Sequence, residues 1–174
     1  MSVYSTKKIL VVDDEHDVRA YLKSALEDYG FVVITASDGF EALEVLKSNI
    51  PDLISLDLVM PRHSGIKLFH DLRKNKQWLN IPVLIVTGHA RDDLGKSDLD
   101  TLIMQGAGIY LEKPVKPDNY VLKVCQLLNI EPPEDLKNHQ EENVDDLKDK
   151  LTKSLAGADT EALKRALDAL KPKN

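Results

Sequence analysis

Four short apolar runs, each ending on a carboxylate, a hydroxyl or an ammonium, restrict this chain more than any other feature. Ile9-Leu10-Val11-Val12 runs into Asp13-Asp14, and Leu53-Ile54-Ser55-Leu56 runs into Asp57. Val83-Leu84-Ile85-Val86 runs into Thr87, and Ile109-Tyr110-Leu111-Glu112 runs into Lys113-Pro114. Short apolar runs bounded by turn signals are the sequence form of buried parallel strands. In an open α/β sheet, ligands bind just outside the carboxyl ends of the strands. Four such strands would therefore gather three carboxylates, a hydroxyl and an ammonium on one rim.

The segments between these runs have helical spacing. Val18, Leu22, Ala25, Leu26 and Tyr29 recur every three to four residues, and Gly30 closes that helix. Residues 31–36 are β-branched and strand-like. Asp38-Gly39 turns into a helix with Ala42, Leu43, Leu46 and Ile50 on one face, stopped by Pro51-Asp52. A loop from Met60-Pro61 to Gly65 precedes a helix carrying Ile66, Leu68, Phe69 and Leu72, and Ile81-Pro82 opens the next strand. The polar stretch after Gly88 regains an apolar period only at Leu99, Leu102, Ile103 and Met104. Gly106 and Gly108 bracket the entry to the Lys113 strand. Pro117 suits the first turn of a helix that buries Val121, Val124, Cys125, Leu127 and Leu128. The expected fold is α/β: a doubly wound, five-stranded parallel sheet with alternating helices over residues 1–130.

Composition shifts at Glu131-Pro132-Pro133, a linker signal. Residues 131–174 carry eleven acidic and eight basic side chains, so they lack the basic surface that phosphate contacts require. Val144, Leu147, Leu151 and Leu155 follow helical spacing, as do Leu163, Ala166, Leu167 and Leu170. This segment reads as a charged, helical C-terminal extension whose leucine stripe docks or self-associates, a homodimer included. Charge substitutions on Leu147, Leu151 and Leu155 that alter neither mass in solution nor partner capture would remove that expectation. His139 lies among polar neighbours and reads as an exposed linker residue rather than a phosphotransfer histidine.

The 174 residues carry a net charge of −6, which argues against direct nucleic-acid or anionic-membrane binding. No apolar run approaches the length of a membrane span, and residues 1–8 lack a signal-peptide core; a cytoplasmic location is the expectation. The single cysteine, Cys125, excludes an internal disulfide and, in an apolar-periodic segment, reads as a buried, inert thiol.

The rim residues have a definite chemistry. Crowded aspartates repel one another, and a hard divalent cation such as Mg²⁺ removes that cost where carboxylates meet phosphate oxygens. Asp13 and Asp14 would hold the ion, and Asp57 would both touch it and attack phosphorus to form an acyl phosphate. Lys113 and the Thr87 hydroxyl would take up charge on the equatorial oxygens. Taken singly, each residue has a plainer reading: Asp14 as a helix cap, Thr87 as a strand former, Lys113-Pro114 as a turn. Their order and strand contexts together favour the chemical one.

With these residues in place, positions 7 to about 129 resemble the receiver domain of two-component response regulators. The features that carry the resemblance are Asp13-Asp14, Asp57 followed by Met60-Pro61 and Gly65, Thr87, and Tyr110 with Lys113-Pro114. It implies a flavodoxin-like strand order of 2-1-3-4-5. It implies that Asp57 accepts a phosphoryl group from the phosphohistidine of a sensor histidine kinase or phosphotransfer protein. Mg²⁺ would be held by Asp13, Asp14, Asp57 and the backbone carbonyl of Val59. Thr87 and Tyr110 would swing inward on phosphorylation and reshape a surface read by a downstream protein target. The bond before Pro114 would be cis. The chain departs from the family pattern at Gly88, where a residue such as alanine is usual, and in a longer stretch from Thr87 to Lys113. Val59 and His89 occupy positions that set phosphoryl lifetime in the family. His89 is read either as orienting or blocking the attacking water or as a solvated loop residue, and dephosphorylation of a His89→Ala protein separates the two.

Two other functions fit the same fold. A Mg²⁺-dependent phosphohydrolase with an aspartyl nucleophile would need a general acid two residues after Asp57, where Val59 cannot transfer protons. A phosphorylation-independent adaptor would not need the intact acceptor set. The acceptor set therefore favours a phosphorylation-switched signalling module that is not an enzyme in its own right.

Overall fold

β-branched and leucine-rich runs form five parallel strands in the computed structural model, which describes residues 3–88, 102 and 107–137. They are β1 (Lys8–Val12), β2 (Val32–Ala36), β3 (Leu53–Leu56), β4 (Val83–Thr87) and β5 (Ala107–Glu112). The order across the sheet is β2-β1-β3-β4-β5, parallel throughout, as the resemblance implies. The β1 core residues Ile9–Val12, β3 and β4 are fully buried, whereas the edge strand β2 exposes Val32. Central strands covered on both faces read as continuous apolar runs for this reason. Between β4 and β5 the register steps from Val83–Ala107 to Leu84–Ile109, which leaves Gly108 as the extra residue. Gly108 thus sits inside β5 at an irregularity, where glycine is tolerated, rather than in front of the strand.

Among the described residues three helices connect strands and a fourth follows β5. In α1 (His16–Glu27), Leu22, Ala25 and Leu26 are buried; Gly30, at φ +91°, then lets the chain turn into β2. In α2 (Gly39–Ser48) the Asp38 carboxylate accepts from the N–H groups of Phe40 (2.8 Å) and Glu41 (3.0 Å), satisfying donors the helix leaves open. Ser64 caps α3 (Gly65–Lys74). Pro117 opens α4 (Pro117–Leu128), and Asn129 closes it in the left-handed region. Leu102 is helical and buried; the other positions of that expected helix (Leu99, Ile103, Met104), His89, His139 and the leucine stripes beyond residue 140 lie outside the described residues.

Strand alternation divides the core into two layers. Leu10, Val12, Ile54, Leu56, Val83 and Ile85 pack with Ala42 and Leu46 of α2 and with Leu68, Phe69 and Leu72 of α3. Ile9, Val11, Leu53, Ser55, Leu84 and Val86 point to the opposite face, which α1 and α4 cover. Each fully buried leucine or isoleucine contributes about 1.5–3 kcal/mol, so both faces are needed to stabilise the sheet.

Two details differ from the helical spacing. Ile50 is 56% exposed and leaves the α2 stripe, because Pro51 excludes a helical conformation at the residue before it. In α4 the buried set is Tyr120, Val121, Val124 and Cys125, while Leu127 and Leu128 are only half-buried. Burial pushes the Cys125 thiol up to about 11, so it remains a protonated core residue.

The chain divides into units 1–132 and 133–174. At the start of the second, the N–H groups of Leu136 and Lys137 both bond to the Pro133 carbonyl in a single helical turn. Among the described residues no helix is long and apolar enough to cross a membrane.

Candidate functional site

Backbone hydrogen bonds just beyond the strand ends set the rim. Asp13 N–H bonds to the Ala36 carbonyl (3.2 Å), Asp57 N–H to Val12 (2.9 Å) and Lys113 N–H to Thr87 (3.0 Å). The sheet ladder therefore continues for one residue past β1, β3 and β5, and Asp13, Asp57 and Lys113 leave it side by side.

These three side chains form one ionic cluster. Lys113 Nζ lies 2.7 Å from Asp57 Oδ2, 2.8 Å from Asp13 Oδ2 and 3.2 Å from Glu15 Oε1. Asp13 is 1% exposed and Asp57 5%, depths at which a charge needs a partner. Burial raises the Asp13 pKa, opposed by the Lys113 ammonium and the Glu15 N–H. For Lys113, burial works against the charged form, but hydrogen bonds and attraction from Asp13 and Asp57 outweigh it and raise the pKa above that of an ordinary lysine. The ammonium thus already offsets the repulsion that the sequence assigns to a cation. One carboxylate oxygen from each of Asp13, Asp14 and Asp57 falls within 4.8 Å of the others, a hard oxygen set that suits Mg²⁺. Asp14 is exposed and does not cap α1, whose N-cap is Glu15.

The loop after Asp57 fits tightly against it. The Val59 N–H bonds to Asp57 Oδ1 (3.1 Å) and fixes the carboxylate rotation. A Cβ on Gly65 would collide with the Asp57 carbonyl oxygen, so only glycine lets α3 begin this close to Asp57. Arg62, in the left-handed region, pairs with Asp38, and His63 pairs with Asp71 at 3.1 Å. Gly39 N–H bonds to the His63 carbonyl, which ties this loop to the start of α2.

Thr87 ends β4 fully buried, and its hydroxyl has no hydrogen-bond partner among the described residues. A stranded hydroxyl at the pocket suits a group that gains its partner from a ligand. Tyr110, half-buried on β5, bonds through its hydroxyl to Glu112 Oε2 (3.2 Å). The Lys113–Pro114 bond is cis, as the resemblance implies.

Sequence reasoning passed over three residues near this cluster. Glu15 joins the Lys113 ion pairs; its place directly after Asp13-Asp14 is the available signal. Ser55 precedes Asp57 by two residues and so lies on the same sheet face. Tyr120, spaced four before Val124 on the buried stripe of α4, is fully buried. Burial raises the pKa of its phenol, with the Ser55 hydroxyl beside it opposing and the Asp13 carboxylate reinforcing the shift.

A cavity of about 470 Å³ adjoins Lys113, walled by Val18, Tyr21 and Leu22 of α1 and by Pro114 and Val115. The Tyr21 hydroxyl spans it to the Val115 carbonyl (3.1 Å).

Residues 9–124 match the family model of the response regulator receiver domain. The alkaline phosphatase synthesis transcriptional regulatory protein PhoP of Bacillus subtilis is 39% identical over 140 residues, 78% of this chain and 56% of that protein. The chain spans about half the length of the transcriptional regulators it matches. Two solved structures are similar. A putative response regulator from Chloroflexus aurantiacus superposes with a TM-score of 0.63 at 30% identity, covering 71% of this chain and 98% of that one. The Francisella response regulator 1452 receiver domain gives 0.62 at 33%, covering 71% and 97%.

Proposed function

The chain belongs to the response regulator receiver domain family, and from that premise we propose that Asp57 is its phosphoacceptor, loaded from the phosphohistidine of a sensor histidine kinase or a phosphotransfer protein. The observation that carries this is the Asp57 carboxylate, nearly buried, with the Lys113 ammonium 2.7 Å away and, at the end of the neighbouring strand, a Thr87 hydroxyl with no hydrogen-bond partner among the described residues. An Asp57 oxygen attacks phosphorus, the P–N bond breaks, and the donor imidazole leaves with the electron pair. Lys113 turns its charge to one transferring oxygen, and Thr87 donates its hydroxyl to another. Asp13, Asp14 and Asp57 would hold Mg²⁺, joined by the Val59 backbone carbonyl as the family resemblance implies, and the ion would supply positive charge for the phosphoryl oxygens.

Thr87 and Tyr110 then turn inward and reshape the surface around β5 for a downstream protein target. The protein is a phosphoacceptor that assists its own loading and unloading, not an enzyme acting on a released substrate. The walled cavity beside Lys113 seats the phosphohistidine-bearing protein, since an apolar groove next to the acceptor can hold the donor in reach. Residues 1–130 carry the switch, and 131–174 form a protein-contact extension.

The test is to load the protein with Mg²⁺ and an acyl phosphate, then reduce it with borohydride and map the peptides. Homoserine at position 57 is the expected product of an aspartyl phosphate. An unmodified aspartate there, or reduction at another site, contradicts the assignment.

A further inference from the structure

The loop between β3 and α3 is tied down at both ends and in its middle, and the middle tie has no part in the phosphoryl chemistry proposed above. The Gly65 N–H bonds to the Leu58 carbonyl (3.1 Å) and closes the loop on itself, while the Val59 N–H bonds to Asp57 Oδ1 (3.1 Å). Between these two bonds, Arg62 Nη2 pairs with Asp38 Oδ2, and the His63 carbonyl accepts from the Gly39 N–H (3.2 Å). His63 also pairs through Nε2 with Asp71 Oδ2 of α3 (3.1 Å), and its ring lies against Phe40 with centroids 4.7 Å apart. A Cβ on Gly39 would collide with the His63 ring and carbonyl, so the loop sits directly on the first turn of α2.

The two oxygens of Asp38 have separate tasks. Oδ1 accepts from the Phe40 and Glu41 N–H groups and caps α2, whereas Oδ2 meets Arg62. The cap therefore needs no arginine. Nor does the core: the Arg62 side chain is 66% exposed, and exposed ion pairs add little to stability. Arg62 also sits at φ +66°, where glycine would be the relaxed residue. A strained backbone under an exposed arginine that reaches a buried carboxylate has a purpose if the side chain holds the loop down. Arg62 lies three residues past Val59, whose N–H sets the rotation of the Asp57 carboxylate. A loop released at Arg62 releases that rotation as well.

We propose that Arg62, anchored on Asp38, is a positioning residue for Asp57: the pair locks the β3–α3 loop onto α2 and so keeps the Val59 N–H on the acceptor carboxylate. The effect on phosphoryl loading rests on the reading of Asp57 as the phosphoacceptor, whereas the hold on the Val59 N–H belongs to the unloaded protein and can be measured by itself.

The experiment compares the wild type with Arg62→Gly, Asp38→Asn, the double variant and Arg62→Lys. Asp38→Asn keeps an acceptor for the α2 cap and loses the charge that faces Arg62. Arg62→Gly relaxes the backbone and removes the side chain, and Arg62→Lys returns a point charge to Asp38. Two quantities are read: amide hydrogen exchange at Val59 in metal-free protein, and the rate of loading from Mg²⁺ and a small acyl phosphate. Arg62→Gly and Asp38→Asn should each speed Val59 exchange about 10-fold and slow loading about 10-fold. The double variant should be no worse than either single one, because both release the same tie, and Arg62→Lys should recover most of both losses. Unchanged Val59 exchange in Arg62→Gly and Asp38→Asn overturns the inference, whatever the loading rate does, and leaves the acceptor assignment standing. If the wild type takes up no phosphoryl group, the acceptor assignment fails, and Val59 exchange alone then decides whether the pair holds the loop. Should Arg62→Gly not fold, Asp38→Asn decides by the same criterion.

Discussion

Lys113 Nζ lies 2.7 Å from Asp57 Oδ2, across 56 residues of sequence. The contact joins the ends of β3 and β5 over the intervening β4, and Asp13 shares the same ammonium. On the proposed mechanism the cation that neutralises Asp57 also follows the charge onto a phosphoryl oxygen, so its removal should affect both stability and rate.

Lys113→Ala is expected to lower folding stability by about 3 kcal/mol in the absence of metal, because it leaves two buried carboxylates without compensation. Mg²⁺ should restore much of that loss. Loading from a small acyl phosphate should slow by about 100-fold even at saturating Mg²⁺. Urea denaturation with and without Mg²⁺, paired with rates from intact mass, checks both parts.

Gly65→Ala should damage the site without touching its chemistry. The new Cβ would meet the Asp57 carbonyl, so either α3 or the end of β3 must shift. A loss of about 1–3 kcal/mol is expected, together with slower loading because Asp57 moves. Full stability with a normal loading rate would show that the close approach is unimportant.

Asp38 gives a pH-dependent prediction. The backbone N–H of Glu41, then that of Phe40 and the Arg62 charge, lower its pKa from the ordinary 3.8, with burial opposing. A depressed carboxylate contributes stability that is present above pH 3.8 and lost as the pH falls through the lowered folded value. Asp38→Ala should therefore cost about 1 kcal/mol at pH 7, and the gap to wild type should narrow in acid below pH 3.8. Parallel urea titrations at the two pH values measure it.

Tyr21→Ala should separate docking from chemistry. The side chain walls the cavity beside Lys113 but reaches none of the carboxylates. Transfer from a protein phosphohistidine should slow by about 10-fold, while loading by a small acyl phosphate stays unchanged. Equal slowing with both donors would place Tyr21 in the chemistry instead.

Much of this arrangement is legible in the sequence because a buried parallel strand leaves a simple mark. The runs before Asp13, Asp57 and Thr87 are continuous and apolar, and each ends where the ladder ends, so residue order alone places the rim. Helix ends were legible where a specific residue enforces them, as Gly30, Asp38 and Pro117 do. Ile50 was misplaced because spacing carries the α2 stripe past the point where Pro51 forbids helix. Glu15 escapes the sequence for a different reason: the ammonium its side chain meets belongs to Lys113, 98 residues away. The Lys113 ion pairs were invisible for the same cause, since the sequence shows which charges reach the rim but not which of them neutralises the others.

The most direct test of the central claim is intact mass after incubation with Mg²⁺ and a small acyl phosphate, wild type against Asp57→Ala. One labile phosphoryl group on the wild type and none on the variant is the predicted result. No adduct on the wild type, or an adduct that persists on Asp57→Ala, would contradict Asp57 as the acceptor and leave a phosphorylation-independent adaptor on this fold as the reading to pursue.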